Sequence, residues 1–565
     1  METFAEFAEK KIIYVLCKER AKCCRRNKSQ HDFSLPEDDI DIAIPRKFLS
    51  CIMPPRSTWM QPRPRMRAKR FTQKDGRLDL KRMHRYAIQK TIDRDRKLQQ
   101  KGKQFPYLEH LDRFLESFLQ PIRSNNLSFD TPQLYPLHKS TKAAEDGHRI
   151  IVFRPLSIYA KLNDKLIIAL ASMYLARYFN AYLHPHILSY RPPRPWRGEK
   201  RHVTDFNDGI KAIAIYRERH ENETIYAADC DIQKFYDTLQ HDMVRMCVNE
   251  MISQRNDLSK EGQKQIMGVI DAYLNSYNFY EHALTPSKVP GFWLPFYKRH
   301  QRKEGDECRF EWIDSEDRSI GVPQGGALSL NIANIVLNHI DQKAGLTEMD
   351  SQKLFLRFCD DMILLHTDMS ECERLMQNYC QALTEHQLHY HPMQDIRQTK
   401  KNDKTKSDFW HQKSHCPFLW ADGEGNCNRY IGFLGYEMRR DGQVRLRKSN
   451  ELKWNDKWRN YTKALFRKIR FAEKKDRGAL SQKQMTEIAE NAAKQLRSLE
   501  QSRDFYLGFN WEDTKSYDVR QWIHIHQREK RMLRRLRAKL TKIDAERYEP
   551  LIRAINEMKN SSILV

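Results

Sequence analysis

The sequence predicts an α+β fold in which short strands at the centre of the chain are flanked by helices. Residues 354–365 are largely apolar, but Asp360 and Asp361 interrupt the run, which indicates a β-hairpin with the two acids at its tip. A second strand is expected to begin at Tyr226 and to end at Asp231. Both predicted strands therefore finish on carboxylates.

Helices are predicted towards both ends of the chain. Residues 109–119 have helical apolar spacing, and so do Leu533, Leu536 and Leu540 within a basic segment. The sequence divides into a basic, mainly helical N-terminal extension (1–140), a central α+β part (141–450) with an insertion at about 250–318, and a helical C-terminal part (451–565).

The paired acids suggest a cation site. Adjacent carboxylates repel each other unless a positive charge neutralises them, and a divalent cation is the usual partner in phosphoryl transfer. Asp229 and Asp231 share one strand face because they are two residues apart. Asp231 and the Asp360–Asp361 pair would supply carboxylates from separate strands, as a site with two metals roughly 3.5–4 Å apart requires. An ordinary surface turn that carries two Asp residues is the alternative.

A third motif lies between these strands. Residues 321–330 begin with a Gly- and Pro-containing loop, in which Gln324 offers an amide, and an apolar helix is expected to follow. Tyr236 comes shortly after Asp231, where the chain would turn over a bound sugar.

The order of these motifs resembles the palm of a reverse transcriptase. The blocks that carry the resemblance are 149–158 and 189–193 in the fingers, Asp231 with its following aromatic residues, 321–325, 358–361, and the primer-grip-like 430–437. The resemblance covers roughly residues 145–450. It implies a right-hand polymerase, with fingers and palm in 141–450 and a thumb that begins at 451.

The resemblance also implies roles for individual residues. Asp231, Asp360 and Asp361 would bind two Mg²⁺ ions. Nucleotide contacts are implied for Tyr236, Gln324, Arg154 and Ile232, and primer-end contacts for Phe433, Leu434 and Gly435. Tyr236 would exclude a 2′-hydroxyl, which implies deoxynucleotide substrates. A lysine among Lys400, Lys401, Lys404 and Lys406 would protonate pyrophosphate, unless all four are solvated surface charges.

Two residues depart from the family pattern. Phe358 stands where the family has Tyr, and this should not affect metal binding because the ligands are carboxylates. Cys359 takes the variable position, where we expect a small buried hydrophobe rather than a redox-sensitive thiol.

The charge of the chain favours a polyanionic partner. It has 99 Lys and Arg against 74 Asp and Glu, a formal net charge of +25. Residues 56–103 are densely basic with interleaved aromatic residues, and a second basic cluster lies near the C-terminus. Within that cluster Arg531, Arg534 and Arg535 are predicted to contact a phosphate backbone; a solvated helix face is the alternative.

Other features limit the cellular context. No run reaches the roughly 18 apolar residues of a membrane span, and the acidic N-terminus does not resemble a signal peptide, so we expect a cytoplasmic protein without a membrane partner. The 12 cysteines are expected to be reduced. His411, His415, Cys416 and Cys427 lie close in sequence, but their irregular spacing does not favour zinc.

Motifs that other reverse transcriptases carry, and that are not recognisable here, indicate which group of the family the sequence resembles. No nuclease, ribonuclease H or integrase motif is recognisable in the sequence. A polymerase core with helical extensions and without those motifs resembles the bacterial defence-associated reverse transcriptases. That group implies a dedicated non-coding RNA as template and a DNA product made during phage infection. A template-independent or protein-primed DNA polymerase and a non-catalytic RNA-binding protein stay open as alternatives, and so does self-association.

Overall fold

The computed structural model describes most of the chain. The described residues are 1–25, 43–72, 78–191, 206–285, 291–294, 305–313, 319–398, 409–421, 427–475 and 519–544, with 549, 552, 553 and 556. Lys400, Lys401, Lys404 and Lys406 lie outside them.

The described part of the chain is a mixture of helices and strands, as predicted. The strands are β1 Gln133–Ala143, β2 Arg149–Ile158, β3 Tyr226–Asp231, β4 Glu307–Phe310, β5 Lys353–Phe358, β6 Asp361–His366, β7 His415–Trp420, β8 Cys427–Asn428, β9 Tyr430–Phe433, β10 Tyr436–Arg439 and β11 Val444–Leu446. The helices are α1 Phe4–Arg25, α2 Ala43–Cys51, α3 Pro64–Phe71, α4 Leu80–Gln99, α5 Pro106–Arg123, α6 Leu162–Tyr178, α7 Phe206–Arg219, α8 Phe235–Thr238, α9 His241–Ser253, α10 Lys260–Asn275, α11 Ala327–Lys343, α12 Met369–Glu385, α13 Lys448–Lys475 and α14 Val519–Asp544.

Several helices begin where the sequence supplies a cap. Asp79 accepts a hydrogen bond from the backbone N–H of Arg82 at the start of α4, and Asp368 caps α12 in the same way. Helix α5 begins at Pro106, which has no N–H to leave unsatisfied in the first turn. It contains residues 109–119, for which a helix was predicted.

The central sheet has the strand order β5-β6-β3-β7-β8. Strand β3 lies between β6 and β7 and is antiparallel to both. Strands β5 and β6 form the predicted hairpin, because Phe358 pairs with Asp361 and only two residues form the turn. Strand β3 ends at Asp231, also as predicted.

The N-terminal helices share a core with the central part. Phe4 and Phe7 in α1 pack edge-on against Tyr174 in α6, with ring centroids 5.7 and 5.3 Å apart. Strand β1 also crosses the predicted boundary at residue 140. The N-terminal extension is therefore packed into the centre of the molecule rather than attached beside it.

A second sheet has the order β1-β2-β4, and the predicted insertion supplies β4. Trp293, also in the insertion, packs against Phe153 and Phe310 with ring centroids 5.1 and 5.0 Å away. The insertion thus contributes core residues at this position, while 295–297 lie outside the described residues.

The central part ends with the sheet β11-β10-β9, and α13 and α14 follow in the C-terminal part. Leu533, Leu536 and Leu540 of α14 are buried, which confirms the predicted apolar stripe. None of the helices in the described ranges has both the length and the apolarity that a membrane crossing needs.

A buried ion pair joins the end of β5 to helix α11 and so stabilises the β5–β6 hairpin. The Arg357 Nε donates to Asp341 Oδ2 at 2.7 Å, and both side chains are fully shielded from solvent. Burial raises the pKa of Asp341 to about 6, although the Arg357 charge opposes this shift. The pair therefore depends on both partners being present.

We predict that Arg357→Met lowers the free energy of unfolding by about 3 kcal/mol, because Asp341 would stay buried without its cation. Urea unfolding followed by tryptophan fluorescence measures the change. The double variant Arg357→Met/Asp341→Leu should recover part of the loss. A single variant as stable as the unsubstituted protein, or a double variant less stable than the single, would contradict the role given to this pair.

Candidate functional site

Three carboxylates converge where β3 ends and β6 begins. Asp231 and Asp361 are direct Cα partners across the antiparallel ladder, so their side chains lie on the same face of the sheet. Directly opposed residues in such a ladder have Cα atoms about 4.5–5.5 Å apart. Asp360 occupies the turn immediately before Asp361. The sequence placed these acids together, and the structure does so as well.

The hairpin tip is fixed by neighbouring side chains. Cys359 has a φ of +56°, which is uncommon for a residue with a side chain. Its N–H donates to Ser189 Oγ at 2.9 Å, and its carbonyl accepts from Arg357 Nη1 at 3.1 Å. Ser189 Oγ in turn donates to Asn334 Oδ1 on α11 at 3.1 Å. This network holds Asp360 in place. Burial also raises the pKa of Cys359 to about 11, so its thiol stays protonated near neutral pH, in agreement with the sequence interpretation.

The acids raise one another's pKa. Burial and the charge of Asp231 raise the pKa of Asp360, opposed in part by nearby cations. The pKa of Asp361 is raised to about 7 by desolvation in the crowded cleft and by the charges of Asp229, Asp360 and Asp231. Because the Asp361 side chain is exposed to solvent, we give the neighbouring charges more weight than the desolvation. The site therefore has an excess of negative charge.

Lys413 partly neutralises that excess. Its Nζ donates to Asp231 Oδ2 at 2.8 Å and lies 3.0 Å from His391 Nε2. Burial and the Lys413 charge lower the pKa of His391, so the neutral imidazole accepts from the lysine. The Lys413 side chain is 57% exposed, and an incoming cation could displace it. Sequence reasoning considered lysines at 400–406 and missed this one.

Asp229 has a cation of its own. His415 Nδ1 lies 2.7 Å from Asp229 Oδ1, and its Nε2 donates to the Phe409 carbonyl at 2.8 Å. Burial alone would lower the pKa of His415, but the Asp229 charge and these hydrogen bonds raise it. Since both ring nitrogens face acceptors, His415 is an imidazolium. Asp229 is therefore neutralised, and His415 is occupied here rather than in the zinc set considered from sequence.

The carboxylates are of the chemical type that binds divalent cations. In the described ranges, no three or more His, Cys, Asp or Glu side chains are arranged so that they could hold a metal ion. At the hairpin, however, Asp231, Asp360 and Asp361 supply the oxygen ligands that Mg²⁺ prefers. Their mutual repulsion, visible in the raised pKa values, would be relieved by such ions.

A cluster of cations lies beside the acids. Arg154 is exposed on β2, and its charge acts on both Asp360 and Asp237. Glu311, just after β4, forms ion pairs with three lysines. These are Lys139, at 3.2 Å, Lys142 and Lys234. Burial lowers the pKa of Lys234 to about 8; Glu311 opposes this and Lys139 adds to it. The sequence identified only Arg154 in this cluster.

The other nucleotide-contact residues have differing environments. Tyr236 lies beside Cys359, and burial together with the charge of Asp360 raises its pKa. Gln324 Nε2 donates to Asp237 Oδ1 at 2.6 Å, so its amide nitrogen is held within the protein. The Ile232 side chain is buried and 3% exposed, which leaves only its backbone available to a ligand.

The primer-grip-like block forms the hairpin of β9 and β10. Its two-residue turn consists of Leu434 and Gly435, with φ values of +51° and +84°. The Gly435 carbonyl accepts from the Arg447 N–H at 3.0 Å and from Asn450 Nδ2 at 3.2 Å. Phe433 is buried in the core, so the turn residues are the ones positioned to meet a ligand.

The C-terminal arginines lie on α14. Arg531, Arg534 and Arg535 are all exposed. Arg531 and Arg535 line an open groove of about 970 Å³ between α13 and α14, together with Arg459 and Arg528. The predicted basic face is therefore present, next to a second set of cations.

Comparisons with known proteins gave similarities only among solved structures. No protein-family model and no curated protein matches the chain. The structure is similar to apo telomerase from Candida tropicalis (11% identity, TM-score 0.35, 77% of this chain and 66% of that one). It is also similar to telomerase from Candida albicans with a TWJ fragment of telomeric RNA (12%, 0.32, 80% and 66%).

A third similarity is to the RNA-dependent RNA polymerase of a human picobirnavirus (8% identity, TM-score 0.31, 55% of this chain and 43% of that one). The chain spans between about two fifths and two thirds of the length of these structures. The scores are too low to assign an activity, which has to come from the geometry of the site.

We predict that the pKa of the Asp361 carboxyl in the metal-free protein lies above the ordinary value of an Asp carboxyl and falls in Asp360→Asn, because one of the repelling charges is removed. Carbon-13 NMR of the labelled Asp carboxyl groups as a function of pH measures both values. Asp368→Asn, a helix cap, is the matched control and should leave the titration unchanged. An Asp361 pKa that does not respond to Asp360→Asn would refute the proposed coupling.

Proposed function

We propose that the protein is a DNA polymerase of the reverse transcriptase type that transfers nucleotides by a two-metal mechanism. The observation that carries the proposal is the position of Asp361 directly opposite Asp231, with Asp360 at the anchored tip beside them. Carboxylates from separate strands that meet at one point are what a two-metal nucleotidyl-transfer site requires.

The three acids would hold two Mg²⁺ ions. When bound, these ions would activate a primer 3′-hydroxyl and neutralise the triphosphate. Lys413 would leave Asp231 as the cations arrive, because the carboxylate oxygen it contacts is then needed as a ligand. Its ammonium group would stay close to the reacting phosphates, where it can hold a proton for the leaving pyrophosphate. We propose Lys413 in place of the lysine expected at 400–406.

The cation cluster would bind the triphosphate. Arg154 suits bidentate contact with phosphate oxygens, and Lys139, Lys142 and Lys234 lie next to it. In the ligand-free protein, ion pairs with Glu311 hold the three lysines close together. A nucleotide would compete with Glu311 for the same ammonium groups.

The substrate and template belong to the same proposal. Tyr236, wedged beside the hairpin tip, supports selection of deoxyribose because a rigid ring leaves little space for a 2′-hydroxyl. An RNA template, in particular a dedicated non-coding RNA, and a role in defence against phage are supported by the resemblance of the motif order. A non-catalytic RNA-binding protein is disfavoured, because grouped carboxylates repel a polyanion unless cations bind them.

We predict that Asp360→Asn reduces nucleotide incorporation by at least a thousand-fold, because a charged ligand is lost while the side-chain volume is kept. Incorporation of labelled dNTPs on a primer–template measures the effect, and circular dichroism checks the fold. Asp368→Asn serves again as the matched control. Comparable incorporation by Asp360→Asn and the unsubstituted protein would refute the assignment.

The same assay separates the alternatives on template use. An RNA template, a DNA template and no template are supplied in parallel with all four dNTPs. Sequence-faithful product on RNA supports the reverse transcriptase proposal. Equal product without any template would instead show an untemplated polymerase.

We predict that Tyr236→Ala admits ribonucleotides, because removal of the ring opens space next to the sugar. Competition between dNTPs and rNTPs, measured as the ratio of their kcat/KM values, should shift towards rNTPs by at least tenfold. Tyr236→Phe keeps the ring and should discriminate as the unsubstituted protein does. Unchanged discrimination in Tyr236→Ala would show that Tyr236 is not the gate.

A further inference from the structure

A basic surface distant in sequence from the proposed site is formed by residues 54–85, which include α3 and the start of α4. Its nine cations are Arg56, Arg63, Arg65, Arg67, Lys69, Arg70, Lys81, Arg82 and Arg85. Among the described residues of this segment the single carboxylate is Asp79, and it caps α4. We propose that this α3–α4 basic surface binds the phosphate backbone of a nucleic-acid duplex.

The described part of the chain places no compensating carboxylate on this surface. None of the nine cations forms an ion pair with a carboxylate of the described residues. Seven of them are exposed, and Arg67 and Arg85 are partly buried. Like charges this close repel one another, and a polyanion relieves the repulsion while it releases its own counterions.

The lack of ion pairs is confined to this surface, because neighbouring cations on α4 and α5 are paired. Further along α4, Lys90 pairs with Asp93 at 3.6 Å, and Arg96 pairs with Asp112 of α5 at 2.6 Å. Arg123 at the end of α5 pairs with Glu9 at 2.9 Å. If the cations served only solubility, ion pairs would be expected along the whole helix. Their restriction to one end indicates that the other end is kept free for a ligand.

The aromatic residues of the segment point to a duplex. Trp59 and Phe71 are buried, 5% and 3% exposed, and Tyr86 packs against Phe71 with ring centroids 5.4 Å apart. Trp59 and Phe71 are therefore not available to stack on bases, and Tyr86 is half-buried against Phe71. Proteins that bind single strands combine cations with exposed aromatic platforms. Here the exposed ring beside the cations is Tyr14, and Arg85 already covers it. A surface dominated by cations suits the regular phosphate array of a double helix.

The surface is also held in a defined shape. Thr72 and Leu78 form a β-bridge that ties the end of α3 to the start of α4. The Met60 N–H donates to Thr91 Oγ1 at 2.9 Å, and Arg85 lies over the Tyr14 ring at 4.6 Å. The backbone that carries these cations is therefore held in one conformation. This reduces the conformational entropy that is lost when a ligand binds.

RNA and DNA duplexes share the chemistry that this surface would recognise. We expect the natural ligand to be a stem of the RNA that serves as template, and in this respect the inference rests on the proposed function. The contact would hold such an RNA outside the catalytic cleft. It therefore affects retention of the RNA and leaves the chemistry at the acids unchanged.

The test compares binding of an RNA hairpin with a two-turn stem, a DNA hairpin of the same sequence, and single-stranded RNA. The variant is Arg65→Gln/Lys69→Gln/Arg70→Gln in the full chain, and fluorescence anisotropy is measured over a range of salt concentrations. Each lost phosphate contact lowers the slope of log K against log salt by about 0.7–0.9. We expect the slope for the RNA stem to fall by about two, and the affinity by at least tenfold.

The control variant Lys10→Gln/Lys90→Gln/Arg374→Gln removes the same charge from exposed lysines and arginines that are already paired. It should bind the stem nearly as the unsubstituted protein does. Preference for RNA over DNA, or equal binding of both, supports duplex-backbone recognition. Tighter binding of the single strand, or equal losses in the two variants, would overturn it.

Nucleotide incorporation on a short primer–template distinguishes a failure of stem binding from a failure of the polymerase assignment. The triple variant should retain its rate there, because the surface does not touch the reacting groups. An unsubstituted protein without incorporation would refute the polymerase and leave the stem-binding result standing. Loss of stem binding with retained incorporation is the outcome we expect.

Discussion

Electrostatic repulsion among carboxylates at the end of β3 and the start of β6 is the constraint on which the rest of the structure depends. Antiparallel pairing sets Asp231 against Asp361, and the turn adds Asp360. Such an arrangement is unfavourable in a folded protein unless cations balance it. Lys413 at Asp231 and His415 at Asp229 supply part of the balance, and the raised pKa of Asp361 shows that part of the charge stays uncompensated.

The backbone around these acids is held in uncommon conformations. Lys234, Cys359 and Leu434 all have positive φ, and each lies next to a proposed ligand-binding element. Residues with side chains adopt such conformations at a cost, which surrounding structure has to offset. At Cys359 that structure is the hydrogen-bond network through Ser189 and Arg357. Three further non-Gly residues, Asn125, Tyr190 and Gln387, also have positive φ, so such conformations are not confined to the site.

Much of this arrangement was predictable from local sequence. The apolar run interrupted by Asp360 and Asp361 defined the hairpin, and the end of the Tyr226 strand defined the position of Asp231. These features have periodicities that are visible within a dozen residues. The helical stripe of Leu533, Leu536 and Leu540 was predictable for the same reason.

What could not be predicted depends on pairing between distant segments. Lys413 reaches Asp231 only because β7 pairs with β3 in a register that sets His415 against Asp229. Glu311 reaches its lysines because the insertion returns as β4 beside β2. The burial of Trp59 and Phe71 among the N-terminal cations likewise depends on packing against α4, where His84 and Tyr86 contact their rings.

The central claim is that the three acids bind a pair of divalent ions, and Mn²⁺ binding followed by electron paramagnetic resonance tests it most directly. With a dNTP present, we expect two bound Mn²⁺ ions per chain, with the exchange coupling typical of closely spaced ions. Asp231→Asn should lose that coupled signal. A protein that binds no coupled Mn²⁺ pair, or one whose binding is the same in Asp231→Asn, would contradict the account.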